Sequence, residues 1–138
     1  MGDPVVVLPD QSHAIDVGEP AMTGPTHVLD LTQALGTDDL KVVMVYFDAG
    51  ARTRPHIHHR YDQILYYVSG QGVVAVDGGP DIIVPTGGLV RLPEGVIHMH
   101  GADASGPAAH LSVLVDVDLS FDVTDVPEAW RRFTSSPE

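Results

Sequence analysis

The chain has 138 residues, no cysteine and a formal net charge of −12. This length suits one domain with a substantial core, and the lack of cysteine excludes disulfides and thiolate chemistry. The acidic balance argues against binding to nucleic acid or to an anionic membrane, and no apolar run is long enough to span a bilayer. The first residues contain neither the basic nor the apolar segment of a signal peptide, so we expect a cytoplasmic protein.

Short apolar segments separated by glycine and proline dominate the chain and predict β-strands. Residues 1–25 contain Pro4, Pro9, Gly18 and Pro20 and are expected to form an irregular N-terminal arm. Strands are predicted at residues 5–8, 26–31, 41–47, 63–68, 72–76, 82–84, 89–92, 97–100 and 110–117, because each run is rich in Val, Ile, Leu or Tyr. The turn at residues 77–80 contains glycines that can adopt positive φ, which predicts a hairpin between the strands on either side.

Residues 127–138 predict a short C-terminal helix followed by a tail, with Pro127 in the first turn. Short strands at near-regular spacing predict an all-β fold, a sandwich or a barrel, for residues 26–126. No internal repeat, low-complexity tract or linker divides the chain.

The histidines carry the functional signal. His56 and His58 lie two residues apart, so both side chains point to the same face of a strand. Gln63 adds an amide oxygen where the next strand begins, and a third imidazole follows at His98. Imidazole nitrogen suits Mn, Fe, Co, Ni, Cu and Zn, and the amide is a neutral fourth donor. The pattern predicts a mononuclear metal site built on β-structure.

Two segments match the spacing of a known pair of motifs. The first motif has a glycine, an HxH pair, a carboxylate or amide and a second glycine, and it is met by Gly50, His56, His58, Gln63 and Gly70. The second is met by Gly87, Pro93, Gly95 and His98, with Ala102 where asparagine is common. With these two motifs in order, the sequence resembles a single-domain cupin, which implies a jelly-roll barrel.

The resemblance implies one divalent ion, Mn, Fe, Ni, Co or Zn, held by His56, His58, Gln63 and His98. Asp62 is the competing oxygen donor, but only Gln63 gives the six-residue gap to Gly70 that the motif requires.

Among cupins, the chain is most similar to manganese-dependent hydroxynitrile lyase-like proteins. These also have the run Gly50–Thr53 before the HxH pair, a glutamine ligand, and a histidine after the last ligand at the offset of His110. The chain departs from them by one extra residue between His58 and Gln63, by Arg54 in place of a small residue, and by Met99 in place of an aromatic. The resemblance implies that His110 is the general base, with His100 in reserve because it shares the strand face of His98.

Two further residues are candidates for binding substrate. Arg54 shares parity with His56 and His58 and could face an anionic substrate, although pairing with one of the many acids is an equal alternative. Tyr67 shares parity with Gln63 and could line the cavity, although core packing is the simpler role for an aromatic residue on a strand.

Neutral ligands leave the full charge on a divalent ion, which favours Lewis-acid chemistry. We therefore expect an enzyme of lyase, isomerase or cyclase type that acts on a small molecule, and the resemblance implies a hydroxynitrile lyase-like activity among these. A metal-dependent dioxygenase is an alternative, because open positions would also suit Fe(II) and O₂. A non-catalytic cupin that binds a small ligand is another. We expect a homodimer, in which residues 5–8 add a strand to the sheet edge of a neighbour.

Overall fold

Antiparallel β-sheets carry almost all of the regular backbone. The computed structural model describes residues 2–18, 21–115, 119–120 and 126–133, and the statements below concern those residues. The strands are β1 (Ile15–Val17), β2 (Thr26–Asp30), β3 (Lys41–Phe47), β4 (Ile57–His58), β5 (Gln63–Ser69), β6 (Gly72–Val76), β7 (Ile82–Val84), β8 (Leu89–Leu92), β9 (His98–Ala102), β10 (Ala108–Leu114) and β11 (Leu119–Ser120). One α-helical turn, α1, spans Thr32–Leu35, and two 3-10 helices span Gln11–His13 and Glu128–Phe133.

The strands form two sheets and a short ribbon. The large sheet has six strands in the order β1-β2-β3-β10-β5-β8, the small sheet has the order β7-β6-β9, and β4 pairs with β11. Every pairing is antiparallel. The all-β prediction is confirmed, and the two facing sheets are consistent with a jelly-roll barrel.

The core lies between the two sheets. In β5 the residues alternate, so that Gln63, Leu65 and Tyr67 are buried while Ile64 and Tyr66 face outward. The inward side chains of the large sheet pack against those of the small sheet in one cluster. This alternation follows from the period of two in a strand and places selected polar residues inside the barrel.

The motif glycines make the tight turns between strands. Gly70, which joins β5 to β6, has φ of 72°, and a Cβ at this position would collide with the carbonyl oxygen of Pro107. A positive φ is easily adopted only by glycine, and the collision excludes a side chain on steric grounds as well. The predicted hairpin is also confirmed, since β6 pairs with β7 across a turn in which Asp77 and Gly78 both have positive φ.

The N-terminal arm differs from the prediction. Residues 5–8 form no strand within this chain, because no strand among the described residues pairs with them. The region 1–25 is less irregular than expected, since β1 pairs with β2.

Other boundaries shift by a few residues. The ninth and tenth strands run over His98–Ala102 and Ala108–Leu114 rather than over residues 97–100 and 110–117. Residues 116 and 117 of the latter prediction lie outside the described part of the chain. The predicted C-terminal helix is present as a 3-10 helix, and the tail beyond residue 133 also lies outside the described residues.

Candidate metal centre

A cavity of about 160 Å³ lies inside the barrel and has a polar and an apolar side. The polar side consists of Thr53, His56, His58, Gln63, His100, His110 and Ser112, with Lys41 also contributing to the lining. The apolar side consists of Met22, Val28, Val43, Val45 and Leu114. His56, His58 and Gln63 of the first motif therefore line one space with His100 and His110, and His98 of the second motif adjoins it through its bridge to His56.

A backbone bridge brings the two motifs together at His56 and His98. The N–H of His56 donates to the carbonyl of His98 at 3.0 Å, and the N–H of His98 donates to the carbonyl of His56 at 2.9 Å. The two imidazole centroids lie 4.3 Å apart, and both side chains are buried. The register of this bridge fixes the distance between the two rings.

Backbone carbonyls also orient these two imidazoles. His56 Nδ1 lies 2.8 Å from the carbonyl oxygen of Arg54, and His98 Nδ1 lies 3.2 Å from that of Val96. A carbonyl oxygen only accepts, so each Nδ1 must carry the proton and each Nε2 keeps its lone pair. The Nε2 of His98 is buried and has no hydrogen-bond partner among the described residues. This arrangement is the one that a metal-binding histidine requires.

His58 completes the group of imidazoles contributed by the two motifs. Its ring centroid lies 5.5 Å from that of His56 and 5.4 Å from that of His98. The N–H of Gly95, in the second motif, donates to the carbonyl of His58 at 2.7 Å. The second motif therefore holds the strand that carries His58 as well as supplying His98.

The amide of Gln63 points its oxygen into the interior. Its Nε2 donates to the hydroxyl oxygen of Ser112 at 2.7 Å, while its Oε1 is buried without a hydrogen-bond partner among the described residues. Asp62 is exposed instead, and its carboxylate accepts the N–H of Glu94 at 2.9 Å and contacts Arg91 at 3.4 Å. The geometry favours Gln63 over Asp62 as the interior oxygen donor.

His100 and His110 form a pair beside these residues. His110 Nε2 lies 2.9 Å from His100 Nδ1, so the two nitrogens share one proton. The N–H of His100 donates to the hydroxyl oxygen of Thr53 at 3.0 Å. The ring of His110 contacts Tyr67 edge-on and Phe47 at a tilt of 55°. The His110 Nδ1 is buried without a hydrogen-bond partner among the described residues.

Burial keeps these imidazoles neutral. Loss of hydration lowers the pKa of His56 to about 4 and that of His110 to about 3. Burial, with the neighbouring His56 as a smaller cause, lowers the pKa of His98 to about 2. Burial also places the pKa of His100 well below its usual value, with His110 as the next cause. Neutral imidazole is the form that binds metals and accepts protons.

Three of the buried histidines could hold a metal ion as they stand. His56, His98 and His100 each offer a nitrogen, and these nitrogens lie within 4.8 Å of one another. This group contains two of the sequence-predicted ligands, with His100 in place of His58 and Gln63.

The two predicted substrate-binding residues do not line the cavity. Arg54 is buried, and its guanidinium donates to the carbonyl of Phe133 at 2.7 Å in the C-terminal 3-10 helix. Tyr67 is fully buried, and its hydroxyl donates to the carbonyl of Gly101 at 2.8 Å. Arg54 does not share the inward face of His56 and His58, because Pro55 separates it from β4. Tyr67 does point inward, but its ring packs in the core.

Sequence reasoning missed Ser112 and Thr53, which bond to Gln63 and His100. Ser112 carried a usable signal, because it lies two residues after His110 on a strand and so shares its face. Thr53 carried none, since its contact with His100 joins segments that are far apart in the chain.

An antiparallel barrel with a buried cluster of imidazoles and an interior amide is typical of small β-barrel metal proteins. The sequence model for the cupin domain matches residues 43–114, more than half of the chain, and the chain belongs to this family. No curated protein matches the chain in sequence.

Several solved structures share the fold. A cupin-like protein from Thermotoga maritima is 28% identical with a TM-score of 0.71, covering 88% of this chain and 94% of that one. KdgF from a Halomonas species is 28% identical with a TM-score of 0.60, covering 76% and 89%. A Thermotoga maritima protein described as a predicted oxalate decarboxylase is 16% identical with a TM-score of 0.67, covering 80% and 100%, which shows the fold alone. Among the described residues, no helix has the length and apolarity needed to cross a membrane.

Proposed function

We propose that this cupin is a metal-dependent enzyme that acts on a small, uncharged molecule by Lewis-acid and general-base chemistry. The reaction would be of lyase, isomerase or cyclase type. The observation that supports it is the placement of the His100–His110 pair on the same cavity as His56, His58 and Gln63. Potential metal donors and a proton-accepting pair thus face one space.

The proposed ligands of one divalent ion are His56, His58, Gln63 and His98. Their fit rests on His98 Nε2 and Gln63 Oε1, which are buried without hydrogen-bond partners among the described residues. A buried polar atom left in this state costs about 1–3 kcal/mol, which coordination would offset. An ion bound by these neutral donors supplies Lewis acidity towards a substrate oxygen, with Mn, Fe, Ni, Co and Zn all compatible with the donor set.

The His100–His110 pair is proposed to hold and move the substrate proton. Because burial lowers the pKa of both imidazoles, the pair is neutral at neutral pH and has a free lone pair for a substrate proton rather than a proton to donate. A proton taken up at His110 Nδ1 can pass through the 2.9 Å contact from His110 Nε2 to His100 Nδ1. His110 remains the proposed catalytic base, with His100 as its proton partner.

The cavity favours a small neutral substrate. Its volume of about 160 Å³ lies below the roughly 300–1,000 Å³ typical of pockets for drug-sized ligands. The nearby cations are already paired, since Lys41 bonds Asp30 at 2.9 Å and Arg52 makes two bonds to Asp81. Lys41 and Arg52 would therefore offer a phosphate or dicarboxylate no unpaired charge, and the proposed ion would be the counter-charge left for it.

Cleavage of a cyanohydrin is the first activity to test. Such a molecule has one hydroxyl and one compact apolar group, which match the two sides of the cavity. The histidine pair would accept the hydroxyl proton, the bond to the nitrile carbon would break, and cyanide would leave with that proton as the carbonyl forms.

The test combines metal analysis with activity. Protein purified without chelator is expected to contain about one divalent ion per chain, and His110→Ala is expected to keep the ion but to lose about 10²- to 10⁴-fold in turnover of cyanohydrins. His59→Ala, which changes an exposed histidine, is the control and is expected to retain activity. Oxygen uptake is measured on enols and catechols in parallel.

Three results would contradict the proposal. Full metal content in a His56→Ala/His98→Ala double variant would show that these two histidines are not ligands of the ion. Wild-type turnover in His110→Ala would show that a residue other than His110 accepts the substrate proton. Turnover that strictly requires oxygen would replace the lyase-type function with a dioxygenase.

A further inference from the structure

A second concave region lies on the outside of the barrel next to the histidine cavity. This outer groove has a volume of about 420 Å³ and is lined by Asp16, Val17, Gly18, Met22, Gly24, Pro25 and Thr26. Among the described residues, Met22 alone lines both the outer groove and the cavity. Among the described residues, Met22 is therefore the point at which the two spaces adjoin.

The backbone around Met22 is held firmly. Met22 forms an antiparallel bridge with Thr53, the N–H of Thr23 donates to the carbonyl of Arg52 at 2.9 Å, and the N–H of Arg54 donates to the carbonyl of Ala21 at 2.8 Å. These bonds tie the segment to the one that carries Thr53 on the cavity wall. Movement at this point must then come from the Met22 side chain itself.

Met22 has a more flexible side chain than the valines that line the cavity with it. It has three rotatable side-chain bonds, whereas Val28, Val43 and Val45 are branched at Cβ and stiff. These three valines also lie on β2 and β3, inside the large sheet, where both neighbouring strands are hydrogen-bonded. Rotation of Met22 is thus the smallest change that joins the groove to the cavity.

We propose that Met22 is a gate through which small molecules pass from the outer groove to the histidine cavity. In its observed position the side chain is buried, and the residue lines both spaces. When it swings aside, the imidazoles of His100 and His110 become accessible from the groove. The size of this side chain sets the size of the molecules that enter, whatever reaction the site performs.

Access is measured with diethyl pyrocarbonate, a small uncharged reagent that acylates neutral imidazole nitrogen. The full-length protein as purified is treated with the reagent, and the labelling rates of His100 and His110 are followed by tandem mass spectrometry. A minor open state is typically about 0.1–10% populated, so Met22→Ala should speed labelling by about 10-fold or more. Met22→Phe, which is bulkier and stiffer, should slow it.

Leu114→Ala is the matched control. Leu114 lines the cavity but not the groove, and its truncation removes as many side-chain atoms from a buried position as Met22→Ala does. It therefore reproduces the loss of packing without opening the point at which the two spaces adjoin, and its labelling rate should stay near that of the wild type. His13, whose side chain is 76% exposed, reports the reactivity of a freely accessible histidine in every sample.

Equal acceleration by Leu114→Ala and Met22→Ala would overturn the gate, because loosening of the barrel would then explain both. Unchanged labelling in Met22→Ala would also overturn it. If Met22→Ala does not fold, as judged by circular dichroism, the test rests on Met22→Phe. Labelling of Met22→Phe at the wild-type rate would then contradict the gate. None of these outcomes depends on the metal or on the proposed reaction.

Discussion

At the scale of single residues, the amide of Gln63 sets the character of the candidate site. Ser112 accepts the N–H of this amide, which leaves the amide oxygen facing the imidazoles. The opposite orientation would present an N–H group, which cannot bind a cation. Ser112 therefore acts on the proposed ion through Gln63, as a positioning residue.

Replacing the serine tests this role. In Ser112→Ala the amide loses the partner that fixes it, and the loss of such an outer contact typically weakens metal affinity by about 10- to 100-fold. Calorimetric titration of chelator-treated protein with Mn²⁺ or Co²⁺ measures the change. Ser69→Ala, on the exposed end of β5, should leave the affinity unchanged. An unaltered affinity in Ser112→Ala would show that the amide needs no such support.

The choice between Asp62 and Gln63 can be tested in the same titration. Gln63→Ala removes the buried oxygen and should lower the affinity for the ion, whereas Asp62→Asn changes an exposed carboxylate that caps the N–H of Glu94. We expect Asp62→Asn to bind metal like the wild type. The reverse pattern would transfer the oxygen donor to Asp62.

Sequence spacing predicts the position of a side chain where the local backbone geometry determines it. His56 and His58 share a face because of the strand period, and Gln63 follows from a fixed distance to Gly70, whose positive φ the turn requires. Arg54 was not predictable in this way, since its guanidinium bonds a carbonyl near the other end of the chain. A contact of this kind depends on how distant segments pack.

At the scale of elements, the C-terminal 3-10 helix supports the strand that carries two of the histidines. Trp130 packs against Ala75, Ile97 and Met99 on the outer side of β6 and β9. His98 and His100 flank Met99 on β9 and point the other way, into the barrel. Arg54 extends this support, because its side chain bonds Phe133 while its carbonyl accepts from His56.

Truncation of the tryptophan tests the contribution of this helix. Trp130 is 3% exposed, and replacing a buried tryptophan by alanine typically costs about 3–5 kcal/mol. We expect Trp130→Ala to lower the free energy of unfolding by this order, measured by denaturant titration with circular dichroism. Glu128→Ala, at an exposed position of the same helix, should stay within about 0.5 kcal/mol of the wild type. Equal stabilities for the two variants would mean that the helix adds little.

The elements themselves were predictable where the pattern was strong. The long strands β3, β5 and β10 are apolar runs bounded by turn residues, and the Asp77–Gly78 turn has the residue types that a tight hairpin needs. The arm was predicted less well, because its apolar run at residues 5–8 carries the composition of a strand but has no strand partner in this chain. The composition of a segment does not reveal which other strand it will pair with.

At the scale of the whole molecule, the outer face of the large sheet carries a continuous apolar row. Residues paired across neighbouring strands form it: Leu29, Met44, Leu111, Tyr66 and Leu89. Val7 of the arm packs near Met44 at one end, whereas Tyr66 and Leu89 at the other end are 41% and 72% exposed. An exposed apolar patch of this kind is a typical association surface.

We expect the chain to associate as a homodimer through this face. Light scattering coupled to size exclusion should give about twice the chain mass of 14.7 kDa at micromolar concentration. Tyr66→Lys should shift the protein towards the monomer, because it places a charge in the row, while Ile83→Lys on the exposed face of the small sheet should not. A stable species of one chain mass in the wild type would contradict the dimer.

The bridge between His56 and His98 also bears on how long the native state persists. It joins segments that are far apart in sequence, so it forms only after the long intervening loop has closed. Contacts made late in folding act mainly on the rate at which the protein unfolds. An ion held by both histidines would therefore lengthen the lifetime of the folded chain, and a chelator would shorten it, with little change in the rate of folding.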